Sequence, residues 1–221
     1  RPRQIFDRFN IEFLSTTESA VDNLKYHQIL KDSDWNGRVV TTYRPDSVID
    51  PEHPDFIKSL GLLGEMTGQD THSWRGYLQA HRNRRADFIA MGATSSDHGH
   101  PTPRTANLST ANCERLFNRI IAGKGNQEDA ELFRAQMLTE MARMSLDDRL
   151  VMQIHAGSYR NHNEWVFQNY GSDKGADIPM RVEYTTALKP LLDCFGNNPD
   201  LSLILFTLDE TNYSRELAPL A

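Results

Sequence analysis

Ala86-Asp87-Phe88-Ile89-Ala90-Met91-Gly92-Ala93-Thr94-Ser95-Ser96-Asp97-His98-Gly99-His100 is the stretch on which the fold turns. Its first half carries an apolar run, Phe88 to Ala93, and the chain turns polar at Thr94. A strand buried on both faces of a parallel sheet reads as a continuous apolar run, not as an alternation. The run therefore predicts a strand, with Ser95-Ser96-Asp97-His98-Gly99-His100 as its polar carboxyl tip. In α/β folds ligands bind at that end of the strands.

Four other segments share the design. Asn10–Glu18 reads as a first strand ending in Thr16-Thr17-Glu18. Arg38–Tyr43, β-branched and aromatic, is a second, stopped by Arg44-Pro45-Asp46. Leu150–His155 runs into Ala156-Gly157-Ser158-Tyr159-Arg160-Asn161-His162-Asn163, and Leu201–Leu208 into Asp209-Glu210-Thr211-Asn212. Helical periodicity fills the gaps. Phe56, Ile57, Leu60 and Leu63 begin one helix. Thr71 is placed to cap another that carries Trp74, Tyr77 and Leu78 and ends in Arg82, Arg84 and Arg85, read as a solvated basic tail. Ser109 opens a helix with Cys113, Leu116, Phe117 and Ile120 on one face, Glu128–Met144 is a longer one, and Tyr184–Phe195 is a last.

Strands alternating with helices mean βαβ units and a parallel sheet. An open doubly wound sheet and a barrel compete. No glycine-rich phosphate loop follows any strand, which weakens the first. Reactive groups at successive strand ends favour the second. The expectation is an α/β fold: a single domain over residues 1–221, a partial TIM-type (β/α)8 barrel of about five consecutive β/α units with extra helices. A whole barrel needs eight strands and roughly 250 residues. The first and last barrel strands are therefore expected to be missing, and the chain reads as an internal piece.

The 221 residues suffice for a sizeable core, and 38% hydrophobic with 24% charged residues is ordinary globular composition. A net charge of -6 without a basic block argues against nucleic-acid binding. No apolar run approaches the ~20 residues of a membrane span, and Arg1-Pro2-Arg3-Gln4-Ile5-Phe6 has no signal-peptide core. Cys113 and Cys194 are isolated, which suits a reducing cytoplasm.

Several tip residues could carry chemistry. His155 at a strand end can donate a hydrogen bond, shuttle a proton or bind a metal; it can equally be a satisfied structural histidine. Asp97 at a barrel mouth can act as base or ligand. His98-Gly99-His100 has a spacing that can hold zinc on a strand, but the glycine and Pro101 make it a loop. Arg44 offers a fork for a carboxylate or polyol, or forms a surface ion pair with Asp46.

Three motifs, Thr41-Thr42-Tyr43-Arg44-Pro45-Asp46, Ser96-Asp97-His98-Gly99 and Gln153-Ile154-His155-Ala156-Gly157-Ser158-Tyr159-Arg160-Asn161-His162-Asn163, resemble in this order those of the uronate (glucuronate) isomerase family of the amidohydrolase-like barrels. The stretch Phe133–Leu138 is similar to that family too. The resemblance covers most of the chain. It departs at Thr16-Thr17-Glu18-Ser19-Ala20, where many members read Thr-Thr-Asp-Asp-Pro.

The resemblance implies interconversion of an aldohexuronate and its ketouronate through an enediolate. D-glucuronate would give D-fructuronate, and D-galacturonate D-tagaturonate. It implies Arg44, Asp97 and His155 as catalytic residues. Arg44, Arg160 and His98 are the residues expected on the substrate, with Arg160 also bracing the His155 tip. The family's metal ligands, a His-x-His on the first barrel strand and an aspartate on the last, have no counterpart here. A divalent metal such as zinc is expected in the full-length enzyme and none on this segment. The partner implied is a small hexuronate in the cytoplasm, with no nucleic acid and no membrane; assembly into a homo-oligomer stays open. Another metal-dependent hydrolase on the same barrel, or a non-catalytic barrel fragment, are the alternatives.

Overall fold

The apolar run Phe88–Ala93 closes a helix; it does not form a strand. In the computed structural model, which describes residues 1–221, Trp74–Ala90 is one continuous helix. Its buried residues Tyr77, Ala80, His81, Arg84, Arg85 and Phe88 recur at three- and four-residue steps, the helical period. Gly92, at a φ of +95° that other residues avoid, turns the chain after it. The strand is the polar tip itself, Ser95–His98. Its polar side chains are tolerated because they are paired. Ser95 Oγ meets Thr42 Oγ1 at 3.2 Å, and Ser96 Oγ meets His98 Nε2 at 3.2 Å.

In chain order the elements are α1 (Pro2–Arg8), β1 (Phe13–Ser19), α2 (Lys25–Lys31), β2 (Arg38–Arg44), α3 (Asp46–Ile49), α4 (Phe56–Thr67), α5 (Trp74–Ala90) and β3 (Ser95–His98). There follow α6 (Thr110–Ile121), α7 (Gln127–Asp148), β4 (Val151–His155), β5 (Ser158–Tyr159), α8 (Glu164–Tyr170), β6 (Ile178–Pro179), α9 (Lys189–Phe195) and β7 (Leu203–Phe206). A π-helical turn, Tyr213–Leu217, leads into α10 (Ala218–Leu220). Ser73, not Thr71, caps α5, its hydroxyl accepting from Gly76 N at 3.2 Å. Tyr184 lies before α9, outside it.

The main sheet has five strands in the order β1-β2-β3-β4-β7, all parallel, while β5 and β6 form a separate antiparallel pair. Strand order thus follows chain order without reversal. A doubly wound sheet reverses at a switch point, whereas a barrel adds each strand beside the last. The sheet has the barrel's progression.

Side chains alternate across each strand. Tyr43, Met152 and Ile154 face the helices and join one buried core with Phe88, Phe117, Phe133, Leu138 and Met141. The other face carries Ser15, Thr42 and Ser95, linked by hydroxyl contacts of 2.7 and 3.2 Å, then Val151 and Gln153, and Ile204 and Phe206, which are 45% and 48% exposed. No helix is long and apolar enough to cross a membrane.

The basic tail of α5 is not solvated. Arg84 and Arg85 are 5% and 0% exposed. Arg84 donates to the carbonyls of Ala20 and Asp22 at 2.9 and 2.8 Å. Arg85 forks onto Asp148 at 2.5 and 2.8 Å and reaches Ser145 Oγ at 3.0 Å. A guanidinium's planar set of donors can be satisfied this way inside a protein where an ammonium's cannot.

Beside Arg85, Tyr43 hydroxyl and His81 Nδ1 are 2.7 Å apart. Burial, then the charges of Arg85 and Arg82, push the His81 pKa down to about 3. Burial lowers His98 and His100 as well. An unfolded chain takes up protons on these rings near pH 6.5, while the folded chain leaves His81 neutral until about pH 3. Stability is therefore full above pH 6.5 and falls as pH drops below it. From His81 alone the loss at pH 5 is about 2 kcal/mol. Urea midpoints measured between pH 7.5 and 5 should decline accordingly. A flat profile would contradict a buried neutral His81.

Candidate active site

Adjacent strand ends bring the site together. Tyr43 pairs with Ser96 and Asp97 with Gln153, so Arg44, Asp97 and His155 emerge on the same face at the carboxyl end. His155 Nε2 lies 2.9 Å from Asp97 Oδ2, and Arg44 Nη1 lies 3.7 Å from the same oxygen. The Asp97 side chain is 12% exposed, while those of His155 and Arg44 are 26% and 34% exposed. The carboxylate is thus sheltered between a base and a cation that both remain open to a ligand.

Asp46, the residue after Pro45, completes the group. Arg44 Nε donates to Asp46 Oδ2 at 2.8 Å, and the Gly99 backbone N–H donates to Asp46 Oδ1 at 3.2 Å. Burial alone would lower the Arg44 pKa. The charge and hydrogen bond of Asp46, then the charges of Asp97 and Asp173, override it and hold the guanidinium above its usual value. Arg44 is a fixed cation at every working pH.

Gly99 is the floor on which these side chains meet. A Cβ there would stand 2.6 Å from Arg44 Nη2, 2.8 Å from Asp46 Oδ2 and 2.9 Å from His155 Cε1. Only a residue without a side chain lets the groups approach this closely.

Two of the expected residues form no hydrogen bond or ion pair with this group. Strand alternation turns His98 to the helix side, away from Asp97 and His155. Its ring is fully buried, with Nε2 against Ser96 and Nδ1 unpartnered. His98 thus packs on the helix side of the sheet in this chain. Arg160 follows β5 and donates to Asp177 Oδ2 at 2.9 Å, while Asp177 Oδ1 accepts from Asn161 N. That ion pair fastens the loop beyond His155, where the exposed Asp173 lies 3.9 Å from Arg160. Sequence reasoning weighed Asp46 only as an ion-pair partner and passed over Gly99. The signals were a carboxylate directly after the strand-stopping Arg-Pro and a glycine set between two histidines.

Other hollows lie away from this group. One of about 790 Å³ is lined by Phe6, Leu14, Leu30 and Trp35, and one of about 360 Å³ by Phe56, Ile120 and Gln127. Neither gathers acid, base and cation. No group of three or more His, Cys, Asp or Glu side chains is disposed to hold a metal ion. The donors of the group are engaged with one another, Asp97 with His155 and Asp46 with Arg44 and the Gly99 N–H. These residues alone do not fit a resident divalent metal.

The whole chain, residues 1–221, matches the family model described as glucuronate isomerase. It is 66% identical to a uronate isomerase of Phenylobacterium zucineum and 63% identical to one of Mesorhizobium japonicum, each over 221 residues. All of this chain is covered, and 46% and 47% of those relatives. The chain thus spans about half the length of the curated relatives it matches. The crystal structure of glucuronate isomerase from Caulobacter crescentus superposes with a TM-score of 0.96 at 61% identity, over 100% of this chain and 46% of that one. A uronate isomerase from Thermotoga maritima shares the fold, with a TM-score of 0.88 at 24% identity over 96% of this chain and 47% of its own.

Proposed function

We propose, because this chain belongs to the glucuronate isomerase family, that the complete protein interconverts an aldohexuronate and its ketouronate, and that this chain supplies one arc of its barrel and one wall of its active site. The observation that carries the reading is the meeting of Arg44, Asp97 and His155 over Gly99 at the carboxyl ends of neighbouring parallel strands.

The reaction moves hydrogen between carbons. A base removes the C2 proton of the open-chain aldose, and electrons shift to a C1–C2 double bond as O1 gains a proton. C1 then receives a proton, O2 loses one, and the ketose results. Such a path needs a base, a proton carrier between the oxygens, and fixed positive charge for the enediolate.

Arg44 supplies the fixed charge, for the substrate carboxylate or for an oxygen at the reacting centre. Asp97 accepts from His155 Nε2, which leaves Nδ1 as the ring nitrogen that can take or return a proton at a substrate oxygen. Asp97 orients that ring or exchanges the proton with it. Arg160 braces the loop. A divalent metal bound by the rest of the protein would polarise the carbonyl; no residue step above depends on it. Free Cys113 and Cys194 accord with a cytoplasmic enzyme.

The test is the complete protein with D-glucuronate and D-galacturonate in deuterium oxide. The expected products are the ketouronates, with deuterium at C1 detected by NMR. Hydrolysis of lactones together with unchanged uronates would replace isomerisation by a hydrolytic function.

A further inference from the structure

We infer that Asp46 is a positioning residue of the site, a single carboxylate that sets the Arg44 fork relative to the Asp97 tip. Its two oxygens serve two strands. Oδ2 takes the Nε–H of Arg44 at the end of β2, and Oδ1 takes the backbone N–H of Gly99 just past β3. Asp46 itself opens α3, whose Val48 and Ile49 are buried in the core, so the carboxylate sits on a fixed support.

The geometry decides which edge of Arg44 faces a ligand. With Nε engaged by Asp46, the terminal Nη1 and Nη2 edge is left for a carboxylate or a sugar oxygen. Nη1 stops 3.7 Å from Asp97 Oδ2, beyond hydrogen-bond range. Asp46 thereby keeps Arg44 from closing onto Asp97, which would occupy both groups at once. The approach of Arg44 Nη2 and Asp46 Oδ2 to Gly99 shows how little room remains for other arrangements.

Asparagine is the informative replacement. It keeps the size but offers one acceptor and one donor group where two donors approach. One contact must then become donor against donor, and either Arg44 or the Gly99 tip is released.

This role rests on the isomerase reading above. In the complete protein, Asp46→Asn should lower kcat/KM for the hexuronate about tenfold with an unchanged Tm, since small misplacements of positioned groups are costly. In an Arg44→Lys background, which lacks the Nε contact, the same change should alter kcat/KM less than twofold. Equal losses in both backgrounds, or no loss in the first, would overturn the role. If the wild-type protein turns over no hexuronate, the isomerase reading fails and this inference is decided by crystallography of Asp46→Asn. An Arg44 guanidinium swung onto Asp97 supports it; one left in place refutes it.

Discussion

Alanine in place of Gly99 is expected to cost the complete protein about a hundredfold or more in kcat/KM for the proposed hexuronate reaction while leaving its Tm almost unmoved. The added methyl would stand 2.6 to 2.9 Å from Arg44 Nη2, Asp46 Oδ2 and His155 Cε1, closer than real contacts allow. All three atoms are ends of side chains, and none belongs to the backbone. They can swing aside, so the fold absorbs the methyl. The proposed chemistry cannot, because it requires those same ends to stay where they are, and displacements near 1 Å cost about a hundredfold. Gly99 does not have a positive φ, so no backbone strain complicates the comparison. Steady-state kinetics beside a thermal melt separates the two effects. Wild-type kcat/KM in Gly99→Ala would mean that these side chains do not act from the positions seen.

The largest effect on stability is expected at Asp148. Its carboxylate holds Arg85, which is 0% exposed, and also accepts from the Leu150 N–H at 3.1 Å. Arg85 in turn lies over the Tyr43 ring at 5.8 Å, against the tyrosine that reaches His81. Asp148→Ala leaves a guanidinium buried with only Ser145 and Met141 near its donors. Removing one partner of a fully buried pair costs about 3–5 kcal/mol, and the 21% exposure of the Asp148 side chain sets this one toward the lower end, whereas replacing both partners by apolar groups is far milder. Urea unfolding should therefore show Arg85→Met/Asp148→Ala to be more stable than Asp148→Ala alone. The opposite ranking would show that Arg85 finds water or another acceptor when Asp148 is gone.

The strand-end face that carries Arg44, Asp97 and His155 was legible in the sequence because its polar groups are concentrated in short motifs. Arg44-Pro45-Asp46, Asp97 and His155 could be placed from a strand-stopping proline and abrupt changes from apolar to polar. The third strand was misplaced for a physical reason. Phe88 to Ala93 is apolar because Phe88 plugs the core beneath Tyr43, their rings 5.0 Å apart, at the end of a helix. Ser95–His98 can be polar because its hydroxyls and the His98 Nε2 meet partners inside the sheet, with only His98 Nδ1 left over. Hydrophobicity reports burial, and burial serves a helix end as well as a strand. The same limit hid Arg84 and Arg85, whose charge reads as solvated until Ala20, Asp22 and Asp148 are brought near by tertiary contacts. The packing of His98 was hidden by its neighbours, since a strand sends alternate residues to opposite faces and only the register says which.

The progression of strands in chain order bears on how the polypeptide is assembled during synthesis. Within this arc each new strand docks beside the main-sheet strand made before it. Ser19 and Arg38 are joined by a short link, so β1 and β2 can pair soon after leaving the ribosome. The links Arg44–Ser95, His98–Val151 and His155–Leu203 are much longer, and translation at about 5–20 residues per second spaces the later dockings by seconds. Growth of this arc strand by strand in chain order, each addition completing one more unit, is the route this topology permits.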